Sequence, residues 1–291
     1  MRQRGRSLTI LVMALSLVAA FILTRPLGRE VAAGSDDRIP AFATATFPLA
    51  TEVTLAARAQ ESKRRTVTLQ GSGTVLFHRY VLTVAHAIAW DNFRAGLRAS
   101  GAPQADRYQS VKMLMETTYL MLPDGRLRLT PLARSDEADV ALFSLPDDTS
   151  VPDLPCAIGD SDALRLGEPV LLVERDPSAG PLLRPAAVAA LRGTAQTAAV
   201  IGVEQTFVLS IGLVSGESGS PLLTSNDRSC ALVGLAQGTF RGPRQLSWGI
   251  RIREAIEALA ISSEPAPPSG FLEDVCKAAI RPGAFSFCGD A

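Results

Sequence analysis

The chain has 291 residues, 47% of them hydrophobic, enough for one large or two small domains with a real core, which excludes global disorder. Lys and Arg (29) balance Asp and Glu (29) and aromatic residues make up 5%, so neither a net positive field nor a stacking surface is present to recruit nucleic acid. Two histidines, His78 and His86, and four cysteines without a C-x-x-C pair leave too little ligand material for a transition-metal site, and no cofactor is expected.

Arg2, Arg4 and Arg6 precede an uncharged stretch from Ser7 to Leu23, and Arg25 closes it. Three arginines abutting a run with no polar face read as a membrane-targeting segment over 1–24. Its length sits at the short end for a spanning helix and the long end for a signal-peptide core; an uncleaved anchor is expected, with a cleaved signal peptide ending near Val18-Ala19-Ala20 as the alternative. Either reading exports the rest, inner-membrane anchored and facing the periplasm or secreted, where an even cysteine count suggests disulfides. Four cysteines allow three pairings; Cys276 and Cys288 are close enough for a local loop, which would leave Cys156 with Cys230. Residues 25–44 mix Gly, Pro and charges without a period and read as a linker.

From about Val53 short aliphatic runs alternate with turn formers. Val67 and Leu69 alternate with Thr66 and Thr68, the pattern breaks at Gly71-Ser72-Gly73, and it resumes through Val75-Leu76-Phe77 and Val81-Leu82. "TTYLMLPDGRLRLTPLA" predicts a hairpin at Pro123-Asp124-Gly125, with glycine taking positive φ. "DVALFSL", "PVLLVE", "TFVLSIGLV" and "CALVGLAQG" add strands, and almost nothing in the middle has a helical period, so the class is all-β. Near the end Ile252, Ala255, Ile256 and Leu259 form one apolar stripe, predicting a helix over 251–260. "SSEPAPPSG" is a Pro- and Ser-rich linker, and the tail to Ala291 carries two cysteines but is too short for its own core.

The segment "GESGSPLL" places Ser218 between glycines. A serine nucleophile needs an imidazole base, and that base needs a buried carboxylate to fix its tautomer. His86 ends an apolar strand and is the candidate base, whereas His78 lies in a polar corner with Arg79. Asp139, one residue before the apolar run from Val140 to Phe143, is drawn inward and needs a partner, while Asp136 and Glu137 are solvated. Chain order then discriminates between architectures. No histidine follows Ser218, and Ser220 stands where the α/β-hydrolase elbow needs glycine; only Asp36 and Asp37 precede the histidines, and both lie in the linker. The order His86, Asp139, Ser218 remains.

These segments together resemble the trypsin-like (chymotrypsin-fold) serine peptidases, closest to the Deg-type, high-temperature-requirement branch. "GSGTVLFHRYVLTVAHAI" resembles the histidine motif, "LPDGRLRLTPLARSDEADVALFSL" the aspartate strand, "AIGDSDALRLGEPVLLV" the segment between barrels, and "GESGSPLL" the serine motif. The resemblance spans about 60–260. It implies two six-stranded antiparallel β-barrels, about 45–150 and 151–250, in a protease domain over 45–262 that ends in the 251–260 helix, followed by the tail over 263–291. It also implies a catalytic His86, Asp139 and Ser218, an oxyanion hole from the Gly216 and Ser218 amides, and a primary pocket with Gly212 at its base and Gln237, Gly238 and Thr239 along one wall. No acid stands at that base, so cleavage is expected after small or medium apolar residues of a protein or peptide substrate.

The sequence departs from the family at Ser220, which replaces a glycine, and at Glu217, which stands where zymogens carry the aspartate that pairs with a freed N-terminus. Arg38-Ile39 resembles an activation site, although Pro40 follows it. No PDZ domain fits in the residues after the helix. Two rival readings are a catalytically silent, membrane-tethered module that keeps the fold, and an envelope protein whose disulfide-bearing tail docks a partner.

Overall fold

The computed structural model describes residues 41–57, 60–99, 111–176, 180–194, 202–226, 229–240, 245–263, 265–281 and 284–288. The membrane-targeting segment and Arg38-Ile39 lie outside the described residues. Among the described residues no helix is long and apolar enough to cross a membrane.

Period-two alternation makes the strands. In β1 (Thr46–Ala57) residues such as Leu49, Thr51 and Val53 turn inward while their neighbours are half-buried. β1 pairs along its whole length with β2 (Gln60–Leu76), which turns through Phe77 and His78 into β3 (Tyr80–Val84). Both turn residues have positive φ (53° and 61°), the geometry of a tight primed turn. A helix absent from the sequence reading, α1 (Trp90–Ala99), follows. β4 (Val111–Leu122) and β5 (Gly125–Arg128) form the expected hairpin, but the turn is Pro123-Asp124 alone. Gly125 pairs with Leu122 as the first residue of the return strand and its φ is not positive, so the conformational role expected of that glycine is not used. β6 (Thr130–Ser135) and β7 (Val140–Ser144) complete an antiparallel sheet in the order β5-β4-β1-β2-β3-β7-β6.

The second sheet contains β8 (Ala157–Ile158), β9 (Pro169–Asp176), β10 (Gly180–Ala190), β11 (Thr206–Leu209), β12 (Pro221–Asn226), β13 (Ser229–Thr239) and β14 (Ser247–Arg251). Its order is β12-β9-β10-β11-β14-β13-β8, and the extra β12–β13 pairing closes six of these strands into a barrel with β8 appended in parallel. The first sheet has seven strands and, among the described residues, stays open between β5 and β6. The architecture is thus a chymotrypsin-like double barrel of all-β class, with one barrel closed and the other a half-barrel.

One core runs through the first barrel and across to the second, joining Leu82 and Leu142 to Leu223, Leu235 and Ile250. A second fills the closed barrel around Val170, Leu172, Phe207 and Leu222. The terminal helix α2 (Ile252–Ser262) buries its stripe of Ile252, Ala255, Ile256 and Leu259 completely. Burial contributes roughly 1.5–3 kcal/mol for each large aliphatic side chain.

The tail also packs onto this core. It forms α3 (Ser269–Ala278), whose Phe271 and Val275 are fully buried and whose Phe271 ring meets Tyr80 edge-on at 5.1 Å. Arg79 pairs with Asp274 at 3.0 Å, and Ile280 donates to the Ile158 carbonyl. The disulfides are Cys156–Cys230 and Cys276–Cys288. Phe271 and Val275 of the tail are therefore used in this chain's own core, while Ile280 stays exposed.

Candidate active site

β3, buried along its whole length, runs into the short helical turn Ala85–Ala87, and this places His86 at the end of a first-barrel strand. Asp139 enters β7 with φ +54°, an uncommon conformation for a residue with a Cβ and one that marks a position determined by its surroundings. Its carboxylate is 3% exposed and satisfied by three N–H groups. The His86 backbone donates to Oδ1 at 2.7 Å, His86 Nδ1 to Oδ2 at 2.6 Å, and Gln237 Nε2 to Oδ2 at 3.3 Å. Nδ1 thus carries its proton towards the acid, and Nε2 is left as the free lone pair of the neutral ring. Burial by itself pushes the His86 pKa down, but the Asp139 charge and hydrogen bond outweigh it and the value is raised above the usual 6.5.

Ser218 is half-buried on a loop held by the other barrel. Ser72 on β2 donates its backbone N–H to the Ser218 carbonyl at 2.7 Å and its hydroxyl to the Gly216 carbonyl at 2.8 Å. Gly216 and Gly219 have φ of +96° and +94°. At Gly219 a Cβ would stand 2.1 Å from the Ser72 oxygen and 2.4 Å from Thr83 Oγ1, so only glycine fits. Ser220 is fully buried, yet its φ is not positive and its backbone bonds to Glu217 and Ala236 are ordinary, so its Cβ does not distort the loop. Among the described residues nothing takes up the Gly216 or Ser218 amide.

The structure joins His86 to Asp139, and Gln237 links that pair to Ser218: its side chain bonds Asp139, while its carbonyl accepts from the Ser218 hydroxyl at 3.2 Å, which does not bond His86. His78 is remote from this group; it is exposed and faces Asp153 at 3.3 Å. Gly212 and the wall residues do come together, since Thr239 Oγ1 bonds both the amide and the carbonyl of Leu213. Gln237 differs from its expected use: its backbone meets Ser218, while its side chain turns to Asp139. Three contributors were not foreseen. Trp248 lies against Gly238, where a Cβ would be 2.4 Å from the indole, and it packs on Phe240. Ser72 braces the loop, and Arg184 on β10 reaches Glu217 and the Gly212 carbonyl. The Gly71-Ser72-Gly73 break was the sequence signal for the second; Arg184 sits in a strand with no local signal. Beside the loop opens a cavity of about 550 Å³ lined by both barrels, including Gln70, Leu122, Gly216 and Glu217.

The family described as "Trypsin-like peptidase domain" matches residues 71–235, more than half of the chain. No curated protein matches it. Among solved structures, the HtrA-type protease AlgW with tripeptide superimposes with TM-score 0.50 at 18% identity, over 75% of this chain and 59% of that one. A variant of AlgW with decapeptide gives 0.54 at 16%, over 75% and 63%. The chain therefore spans less than two thirds of the length of the AlgW structures it matches. The Rv3671c protease in an inactive form gives 0.48 at 18%, over 76% and 89%. At these identities the likeness to the AlgW structures is one of fold, and it agrees with the double barrel.

Proposed function

The chain belongs to the trypsin-like peptidase domain family, and from that premise we propose that it is an exported serine endopeptidase acting through His86, Asp139 and Ser218. In this reading His86 Nε2 takes the Ser218 proton as the hydroxyl attacks a peptide carbonyl, and Asp139 steadies the imidazolium. The Gly216 and Ser218 amides receive the oxyanion. His86 then returns the proton to the leaving amine, and water completes the cycle through the acyl-enzyme. The observation that carries the reading is the double hydrogen bond from His86 to Asp139, together with a serine loop whose Gly216 and Ser218 amides have no acceptor among the described residues. The peptides in the AlgW structures support a peptide substrate, and the N-terminal apolar segment supports export with a membrane anchor or signal.

One observation favours the alternative of a catalytically silent, membrane-tethered binding module, namely the bond from Ser218 Oγ to Gln237 in place of His86. A single χ1 rotation moves a serine hydroxyl between staggered positions, and nucleophile–base contacts commonly tighten only once substrate is bound. The test is a fluorophosphonate probe on the folded protein, with Ser218→Ala and His86→Ala as controls. Label on Ser218 that is lost in both variants supports the peptidase; a folded protein that takes no label supports the silent module.

A further inference from the structure

Against the serine loop the structure holds an ion pair that the proposed catalytic steps do not use, a buried carboxylate with a guanidinium that is one-third exposed (33%). Glu217, the residue before Ser218, is 2% exposed. A carboxylate in that position needs donors, and it has them on both oxygens. Arg184 Nη1 bonds Oε1, and the Val214 N–H donates to Oε2 at 2.6 Å. The other arm of the same guanidinium, Nη2, donates to the Gly212 carbonyl at 2.9 Å. Arg184 stands in the middle of β10, opposite Leu172 in the closed barrel, so its backbone is fixed.

One planar cation thus grips the loop at two points: Gly212, where the resemblance puts the pocket base, and Glu217, next to the nucleophile. Arginine suits this task and lysine does not, because a rigid fork can serve two acceptors in different directions at once. From the opposite side Ser72 holds the carbonyls of Gly216 and Ser218. Clamped between strands of both barrels, the loop has its carbonyls occupied while the Gly216 and Ser218 amides remain available. Pairing with Glu217 also neutralises Arg184, so the pocket base gains no net positive charge from it.

We propose that Arg184 is a positioning residue that holds the oxyanion loop and the base of the primary pocket in their working form from within the folded chain. The inference rests on the peptidase reading given above. It means that Glu217 does not wait for a freed chain terminus: its carboxylate is already engaged by a residue of β10. Formation of the oxyanion site then depends on Arg184 and not on cleavage at Arg38.

The experiment compares the full chain with Arg184→Ala, Arg184→Lys and Glu217→Gln, reading kcat and KM on an apolar peptide ester together with the melting temperature. Arg184→Ala is expected to lower kcat about 10²-fold or more, the size of effect seen when one oxyanion donor is lost. Millimolar guanidinium chloride is expected to restore part of that kcat, and sodium chloride is not. Arg184→Lys should recover only a minor part. A kcat within twofold of the parent, or a loss that follows the melting temperature and ignores guanidinium, overturns the proposal. Should Arg184→Ala fail to fold, the near-isosteric Glu217→Gln carries the test, and unchanged kcat overturns it. If the parent chain itself shows no turnover that depends on Ser218, the peptidase reading fails separately. Amide hydrogen exchange over 212–219 then decides the clamp: faster exchange in Glu217→Gln supports it, and unchanged exchange overturns it.

Discussion

His86 and Asp139 are joined twice, once through the His86 backbone N–H to Oδ1 at 2.7 Å and once through ring Nδ1 to Oδ2 at 2.6 Å. The first bond fixes where the histidine sits and the second fixes its tautomer. Asp139→Asn keeps the shape but presents an amide that is no longer a charged acceptor for Nδ1–H. Peptidase kcat is expected to fall about 10⁴-fold while the fold persists. Steady-state kinetics beside a melting curve checks this, and a loss below tenfold would remove Asp139 from the proposed mechanism.

The same pair sets the pH response. The base must be neutral to accept the serine proton, and its pKa is raised above 6.5 by Asp139. Activity should therefore fall as pH drops through that raised value, with the acidic limb of kcat/KM above the ordinary histidine value of 6.5. The stability term has the opposite sense. A raised folded-state pKa means that the protonated pair contributes stability fully below the unfolded histidine value, and this is lost as pH rises through the folded one. A kcat/KM profile in which the limb moves down in Asp139→Asn is the expected result.

Gly219 and Ser220 are adjacent but differ in tolerance. A methyl at Gly219 would meet the Ser72 oxygen at 2.1 Å with φ at +94°, whereas Ser220 occupies ordinary backbone space. Gly219→Ala is expected to cost about 1–3 kcal/mol from the strained φ alone, with the clash added. Ser220→Gly should change stability by at most about 1 kcal/mol and leave kcat within a few-fold. Urea denaturation of both variants tests the contrast, and a large gain in activity for Ser220→Gly would show that the serine impairs the loop.

Much of this arrangement was legible in the sequence because it depends on short-range pattern. Alternation marked the strands, Asp139 stood at the start of an apolar run, and chain order selected His86, Asp139 and Ser218. What was hidden depends on strands meeting across the fold. Arg184 is one polar residue in a half-exposed strand, and nothing nearby in sequence announces that it faces Glu217, 33 positions on. The family resemblance puts Gln237 in a pocket wall, yet its side chain bonds the buried acid 98 positions earlier. α1 was missed because the segment is short and rich in polar residues, its apolar positions serving only a small satellite core around Trp90. α3 lacked a core of its own and borrowed one.

That borrowing is testable. Phe271 is fully buried against Phe77 and Tyr80, far from Ser218 in sequence but packed on the strand that leads to His86. Phe271→Ala is expected to destabilise the protein by about 3–5 kcal/mol, as for large aromatic side chains in cores. A calorimetric melt checks it; a loss under about 1 kcal/mol would mean that the tail rests on the barrel without sharing its core.

Specificity follows from what stands at the base of the pocket. At Gly212 a Cβ would stand in van der Waals contact with Gln245 at 3.5 Å and Thr239 at 3.8 Å, without a clash. The charged group behind it, Arg184, is already paired with Glu217. A basic substrate side chain would meet no free carboxylate there, and an acidic one would have to compete with Glu217 for the guanidinium. Desolvating either charge without a partner is unfavourable, which leaves small and medium apolar side chains as the preferred occupants. Profiling with a peptide library is expected to show cleavage after residues such as Ala and Val. In Glu217→Gln the paired charge is released, and whatever activity remains should shift towards acidic residues. A parent profile dominated by Lys and Arg would overturn the assignment of Gly212 to the pocket base.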